Sequence, residues 1–491
     1  MKQAKMFLFG ILLLLGLAGI RPLQAADAVV GNGTPTSCTE AAFDAALATV
    51  LTSGDGVVSF NCGGPATIVF TSQKQVVNTN FLAIDGGGEI TLSGGNSTRL
   101  FYVANANLDI LNITLTNGNS LNDHGGAIMA ENNSGVYIKN SAIQNSRTND
   151  GYAGGAILSF DIGTAFPAVT IIDSVIQNNT STYGAINTVG KLVINNSIIQ
   201  NNVAQFGGGL SVGGLTEITD TIITGNGSDT SSDGGGIFMT MSAEVTVTRG
   251  EISYNNGTYG GGIENAGGVL TLQDVTLREN HASFGGGIFN VGYAYLFGST
   301  LFFNNAESEG GGVLNSGTMV VTNSTFFNNY SLSGKATYNS GTLVFKHATI
   351  WAFGSDNYPV IVNDDSYDDP FLYLYSTFVG ANTGFLCSGA PAKVSNFSLY
   401  NRNNNSCLWL SGTGNILSDE SGLLWYLSDN GGPTLTSLPT KDSPAIDGGK
   451  CEATVDQRGI ARPQGVACDI GAVEVVIQPS DYFVYLPFVL K

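Results

Sequence analysis

An all-β fold, a right-handed parallel β-helix, is predicted for this chain, and three observations predict it. Glycine clusters recur: Gly125-Gly126, Gly154-Gly155, Gly184, then triplets at 207–209, 234–236, 260–262, 285–287 and 310–312. An aliphatic residue closes these turns at Ile128, Ile157, Ile186, Leu210, Ile237, Ile263, Ile288 and Val313, in steps of 29, 29, 24, 27, 26, 25 and 25 residues. Short segments alternating apolar and polar residues fill the intervals, as in Gly135-Val-Tyr-Ile-Lys-Asn140 and Thr318-Met-Val-Val-Thr-Asn323. A fixed period in the twenties is the mark of a stacked repeat. Period-2 alternation with β-branched residues favours strand over helix.

Each copy holds about three short strands. The first follows the glycine turn, and a second alternating segment comes after a polar gap. A third follows at once, for example Ile198-Ile199 or Phe326-Phe327, and ends at Asn179, Asn202, Asn226, Asn255, Asn280, Asn304 or Asn329. A strand this short cannot bury its apolar side alone. Coiling lets each strand pair in parallel with its counterpart one turn on, about 4.8 Å away. Stacked asparagines can then hydrogen-bond along the axis and satisfy backbone groups that would otherwise be buried unpaired. The corner glycines supply positive φ or close backbone approach.

A second polar column precedes the third strand: Asn140, Asp173, Asn196, Asp220, Arg249, Asp274, Gly298, Asn323 and His347. Asn, Asp and Gly tolerate the left-handed conformation, so the column reads as a turn. The repeats extend over roughly 65–415, the last copies being degenerate.

The segment before them, 26–64, reads as a cap for the raw end of a solenoid. Ser37-Cys-Thr-Glu40 resembles a capping box, and Phe43, Leu47, Val50 and Leu51 share one helical face. Further upstream, Lys2 and Lys5 precede an apolar run from Met6 to Ile20, and Leu23-Gln24-Ala25 offers a small-residue cleavage site. Residues 1–25 thus read as a signal peptide, the alternative being one anchoring helix. No later stretch has the length of a membrane span, so none is expected after signal removal.

The 491 residues carry a net charge of −19, yet only 12% are charged and 43% are hydrophobic. Basic residues are few and scattered, which argues against a nucleic-acid partner. Six cysteines fall into local groups: Cys38 with Cys62, Cys387 with Cys407, and Cys451 with Cys468. An even count in an exported chain points to disulfides. Fifteen pairings are possible, of which the local one is the simplest.

Three constellations are candidates for chemistry. Asp220, Arg249 and Asp274 occupy one turn position on successive coils. They would serve a polysaccharide lyase or glycosidase, with arginine as base or charge stabiliser. They equally make a surface ion-pair ladder, which the spacing favours because each position also suits a turn. Asp364, Asp365, Asp368 and Asp369 crowd oxygen ligands that can hold Ca²⁺, or form a solvated acidic loop. No other cofactor is indicated. Tyr183, Phe206, Tyr259 and Phe284 each directly precede a glycine corner, interrupted by Asp233 and Glu309. Facing outward, this column would stack on sugar rings; facing inward, the orientation favoured from sequence, it would fill space beside the glycines.

Two stretches resemble known families. Ser443-Pro-Ala-Ile-Asp-Gly-Gly449, Asp456-Gln-Arg-Gly-Ile-Ala-Arg-Pro463 and Cys468-Asp-Ile-Gly-Ala-Val-Glu474 resemble the choice-of-anchor Q module that ends exported bacterial β-helix proteins. The resemblance makes 416–475 a C-terminal module and implies surface attachment through the apolar tail 476–491. Gly125-Gly-Ala-Ile128, Gly154-Gly-Ala-Ile157, Phe302-Phe-Asn-Asn305 and Phe326-Phe-Asn-Asn329 resemble the repeat of polymorphic outer-membrane proteins. Adhesive surface proteins carry such repeats, which implies a secreted or cell-surface protein contacting extracellular polysaccharide or another cell. No barrel-sized segment follows, so transport through an attached barrel is not expected. Together these readings favour a non-enzymatic surface for adhesion or glycan binding, with a polysaccharide lyase or glycoside hydrolase as the alternative.

Overall fold

The computed structural model describes residues 26–160, 169–227, 233–354, 357–366, 370–382, 385–401, 412–418, 422 and 426–476. The expected signal peptide and most of the apolar tail lie outside these residues. The chain winds into a parallel β-solenoid of about 13 turns. Among the described residues its strands form one 28-stranded sheet, one 13-stranded sheet, and smaller sheets of three and two strands. Among the described residues no helix is long and apolar enough to cross a membrane.

One coil shows how the sequence makes the fold. Ile237–Met239 belongs to the 13-stranded sheet. After a turn, Glu244–Thr248 and Glu251–Ser253 join the large sheet, with Arg249 between them at φ 50°. Asn256–Tyr259 then leads into the next glycine corner. Alternation decides the faces: Val245 and Val247 are buried, while Glu244 is exposed. Equivalent residues stack rung on rung, as in Ile186, Leu210, Ile237, Ile263, Ile288 and Val313. All six are fully buried, each contributing about 1.5–3 kcal/mol of burial relative to exposure.

The predicted turn column adopts the left-handed conformation throughout, from Asn140 (φ 47°) through Asp220 (50°) and Asp274 (58°) to His347 (50°). The residue after it is usually Ser or Thr, and its hydroxyl caps the coil before. Ser141 N donates to Ser174 Oγ and Ser174 N to Ser197 Oγ, both at 3.1 Å. The predicted asparagine ladder is present and is 0–3% exposed. Asn202 is typical: its Nδ2 donates to Asn226 Oδ1 and to Ile176 O, both at 3.0 Å. A second buried ladder runs through Asn265, Asn290, Asn315, Asn339 and Asn363, with Nδ2-to-Oδ1 bonds of 2.7–2.8 Å. It went unrecognised in the sequence, although its signal is an aliphatic-x-Asn triplet after the last three glycine triplets, at Ile263, Ile288 and Val313.

At the first end, helix α1 (Glu40–Ser53) covers the opening coil, with Phe43, Ala46, Leu47 and Val50 buried. Phe43 packs on Phe70 at 4.9 Å between ring centroids. The helix starts later than the capping box implied. Thr39 is the N-cap, accepting from Ala42 N at 3.2 Å. Ser37 is diverted into a preceding turn, where its hydroxyl donates to Thr34 O. Glu40 is engaged elsewhere, with Lys74 Nζ at 2.7 Å and Thr71 N at 2.8 Å. Parallel pairing already begins at Ala28–Val30, within the stretch read from sequence as the cap.

The C-terminal residues lie along the flank of the last coils. Gln457 Nε2 donates to Thr300 Oγ1 at 2.7 Å, and Thr325 Oγ1 donates to Gln457 Oε1 at 2.6 Å. Ala472 N donates to Thr349 Oγ1, and Gly471 N to Ser376 O. Ala445 and Ile470 seal an apolar patch of Phe327, Trp351, Phe378 and Leu399. The Cys38–Cys62 and Cys451–Cys468 disulfides form as the local pairing implied. Cys387 is disulfide-bonded, and its expected partner Cys407 lies outside the described residues.

Candidate functional site

The residues proposed from sequence separate into one aligned column, one loop and one exposed stripe. Asp220, Arg249 and Asp274 do align on successive coils. Arg249 Nε and Nη2 donate to Asp220 Oδ1 and Oδ2, both at 2.8 Å. About half of each side chain is exposed, 51% for Arg249 and 44% for Asp220. The hydrogen bonds to Asp220 raise the pKa of the guanidinium, which stays charged. Asp274 is shifted upward, chiefly by burial. An arginine held this way is a fixed charge on an open wall.

Asp364 accepts from Ser366 Oγ at 2.6 Å and from Tyr338 OH at 2.7 Å. Asp365 is exposed, and Asp368 and Asp369 lie outside the described residues. Among the described residues, no group of three or more His, Cys, Asp or Glu side chains is arranged to hold a metal ion.

The aromatic column faces outward, contrary to the inward packing favoured from sequence. Tyr183 and Tyr259 are 39% and 37% exposed. The reason is steric: the following glycine turns the chain inward, and the inner side of the corner is filled by backbone of the next coil. A Cβ on Gly261 would lie 2.6 Å from Gly286 O, leaving no room for a ring on that side. Tyr183 stacks on Phe206 at 4.9 Å with a 12° interplanar angle, and Tyr259 on Phe284 at 5.4 Å with 15°.

Across the glycine corner runs a second outward column, the middle residues of the 13-stranded sheet. In register it includes Asn187, Ser211, Phe238, Glu264, Phe289 and Leu314. The two columns meet edge to face: Phe206 with Phe238 at 5.6 Å, and Tyr259 with Phe289 at 5.1 Å.

Two carboxylates stand inside this aromatic frame. Asp233 takes the rung between Phe206 and Tyr259. Glu264 takes the rung between Phe238 and Phe289. Glu264 is 8% exposed, and its Oε2 is buried without a hydrogen-bond partner. Burial, reinforced by the charge of Asp233, pushes its carboxyl up to about 8. Burial also raises Asp233. Further along, Glu309 is raised by burial and by Asp364. Sequence reasoning saw Asp233 only as a break in the aromatic series and passed over Glu264. The available signal was an acidic residue at the outward middle position of a strand whose neighbours one coil away are both phenylalanine.

Shifted carboxyls in an apolar setting mark functional sites more often than chance. This stripe can stack on flat apolar faces, accept hydrogen bonds, and hold a proton at neutral pH on Glu264. No family model matches the chain, and no curated protein matches it.

Proposed function

We propose that the protein is an extracellular β-helix that binds polysaccharide along the stripe formed by Tyr183, Phe206, Tyr259 and Phe284. A β-helix carrying disulfides fits an oxidising, extracellular setting. The observation that carries the reading is the outward stacking of these rings beside Asp233 and Glu264. From Tyr183 to Phe284 the stripe spans five coils, roughly 19 Å at about 4.8 Å per coil, enough length for several sugars of a linear chain. Rings offer the apolar faces of sugars a partner, and carboxylates accept from their hydroxyls. Adhesion to another cell follows where that cell displays the polymer. The test is binding to a glycan array by the wild type and by a Tyr183→Ala, Phe206→Ala, Tyr259→Ala, Phe284→Ala variant. Loss of signal with an unchanged melting temperature supports the reading; unchanged binding refutes it.

One observation favours a second reading, a glycoside hydrolase. Glu264 protonated beside Asp233 is the arrangement of a general acid with a second carboxylate. Release of reducing ends from a polysaccharide panel, abolished by Glu264→Gln, would establish it. A lyase using Arg249 has less support, because Asp220 holds the guanidinium in its charged form.

A further inference from the structure

Asp233 leaves a gap in the aromatic column. It stands on the rung where a ring would otherwise continue the stack, bonded in register to Phe206 on one side and Tyr259 on the other. Phe206 and Tyr259 are therefore two rungs apart, roughly 10 Å. The outer neighbours of these rings, Tyr183 and Phe284, are stacked on their far sides. Phe238 and Phe289 close the flanks across the corner. The rung of Asp233 is thus a break in the ring stack, a slot with Phe206 and Tyr259 on either side and the carboxyl of Glu264 in the neighbouring column.

The slot lacks a counter-ion. Among the described residues, the charge acting on Glu264 is that of Asp233, which is also negative. Glu264 Oε2 is buried with no hydrogen-bond partner. Buried polar atoms in folded proteins are nearly always satisfied, and an orphan needs an explanation. A ligand that carries positive charge and fits between aromatic faces supplies one. Cations within about 6 Å of ring centroids are attracted by the ring quadrupole, and aromatic cages are a recurring device for ammonium groups.

We propose that the slot formed by Phe206, Asp233, Tyr259 and Glu264 binds an organic ammonium group, so that the preferred sugar is one bearing a free amine. The amino-sugar part rests on the polysaccharide reading above; the ammonium part does not. Among the described residues the titratable group acting on Glu264 is Asp233, while the neighbouring strands Ile237–Met239 and Ile288–Asn290 bring Phe238 and Phe289 to its flanks. A bound cation stabilises the ionised carboxylate, so Glu264 gives up its proton to solvent as the ammonium enters.

The experiment is calorimetric titration of the full chain with three probes: tetramethylammonium, a de-N-acetylated glucosamine oligomer, and the N-acetylated oligomer of equal length. The amine oligomer is expected to bind at least about 10-fold more tightly than its acetylated twin, since each tenfold is only about 1.4 kcal/mol. Asp233→Asn and Glu264→Gln should each remove that preference while leaving the melting profile folded. Tetramethylammonium, whose charge does not titrate, should release close to one proton on binding at pH 7, read from buffers of different ionisation enthalpy. Equal affinity for the two oligomers overturns the ammonium slot and leaves the polysaccharide reading standing. Binding of tetramethylammonium alone, lost in Asp233→Asn, upholds the slot and refutes the amino-sugar part of the proposal. Silence from all three probes refutes the ammonium slot, and the polysaccharide reading then stands or falls on the glycan array alone.

Discussion

Arg462 Nη1 donates to Glu474 Oε2 at 2.8 Å, and both side chains are fully buried. Arg462 also donates to Asp469 O and Gly471 O, and Glu474 accepts from Gln464 N and Asp469 N. The stretches that resemble an anchoring module are therefore wired to one another through this pair. Removing one partner leaves an uncompensated buried charge, which costs about 3–5 kcal/mol. Arg462→Ala should detach the C-terminal segment from the flank. Hydrogen exchange should rise across 426–476 and at Thr300, Thr325 and Thr349, while the coils before Gly260 stay protected.

The asparagine ladder makes a sharper prediction because each rung serves two coils. Asn255 Oδ1 accepts from Asn226 N and Nδ2, and Asn255 Nδ2 donates to Ile223 O and Asn280 Oδ1. Asn255→Ala strands several buried groups at about 1–3 kcal/mol each, so a loss of about 3 kcal/mol or more is expected in chemical denaturation. Asn140 is the control. Its amide bonds Asn112 Oδ1 in an exposed setting, and glycine accepts its φ of 47°. Asn140→Gly should change stability by no more than about 0.5 kcal/mol.

Glycines at the corners differ in what they are needed for. Gly261→Ala drives a methyl against the carbonyl oxygens of His281 and Gly286, a clash worth about 2–3 kcal/mol. Gly151 has φ +88° but open space around the missing Cβ, so Gly151→Ala costs only the backbone strain, about 1–2 kcal/mol. Melting temperatures of the two variants should fall in that order.

Stability should depend on pH through Glu264. In the folded protein its carboxyl is pushed up to about 8, chiefly by burial, against an ordinary value of 4.5. The folded state thus binds the extra proton between those values, and stability falls as pH rises through that window, by up to about 1.4 kcal/mol per unit. The buried Asp469 and His347 act lower. Asp469, raised to about 6 by burial, has the same sign but is spent above that value. His347, depressed to about 3 by burial and by Arg462, loses stability only as pH falls below its ordinary 6.5. From pH 6.5 to 8 the wild type should therefore melt at progressively lower temperature, and Glu264→Gln should flatten the curve. A wild-type melting temperature that rises over that range would contradict the burial of Glu264.

Asp220→Asn tests the aligned charges on the open wall. An exposed pair contributes about 0–1 kcal/mol, so stability should change by less than about 1 kcal/mol. Glycan binding should not change, because this column lies away from the aromatic stripe. A large loss of binding would move the candidate site to Arg249.

What the sequence made legible is whatever repeats. The step between Ile237 and Ile263, the glycines beside them and the Asn202 ladder recur at one period, and repetition turns a weak local signal into a strong one. The left-handed column was legible for the same reason, down to its exceptions at Arg249 and His347. Features that occur once were harder. Thr39 and Ser37 both suit an N-cap, and only the rival bond from Ser37 to Thr34 decides between them. Glu264 is a single residue in a short strand, and its burial depends on Phe238 and Phe289, each about 25 residues away. The lateral seat of the C-terminal segment depends on pairs such as Gln457 with Thr300, which no local pattern encodes.

That lateral seat has a consequence for how the protein is made. Its bonds join residues 122, 132 and 157 positions apart, from His347 to Asp469, Asn323 to Val455 and Thr300 to Gln457. On a ribosome adding about 5–20 residues per second, the final coils wait on the order of ten seconds for their cover. Until then Phe327, Trp351 and Phe378 lack the cover that Ala445 and Ile470 give them. Newly made chains are therefore stickiest at this flank, and a stalled or truncated product would keep it bare.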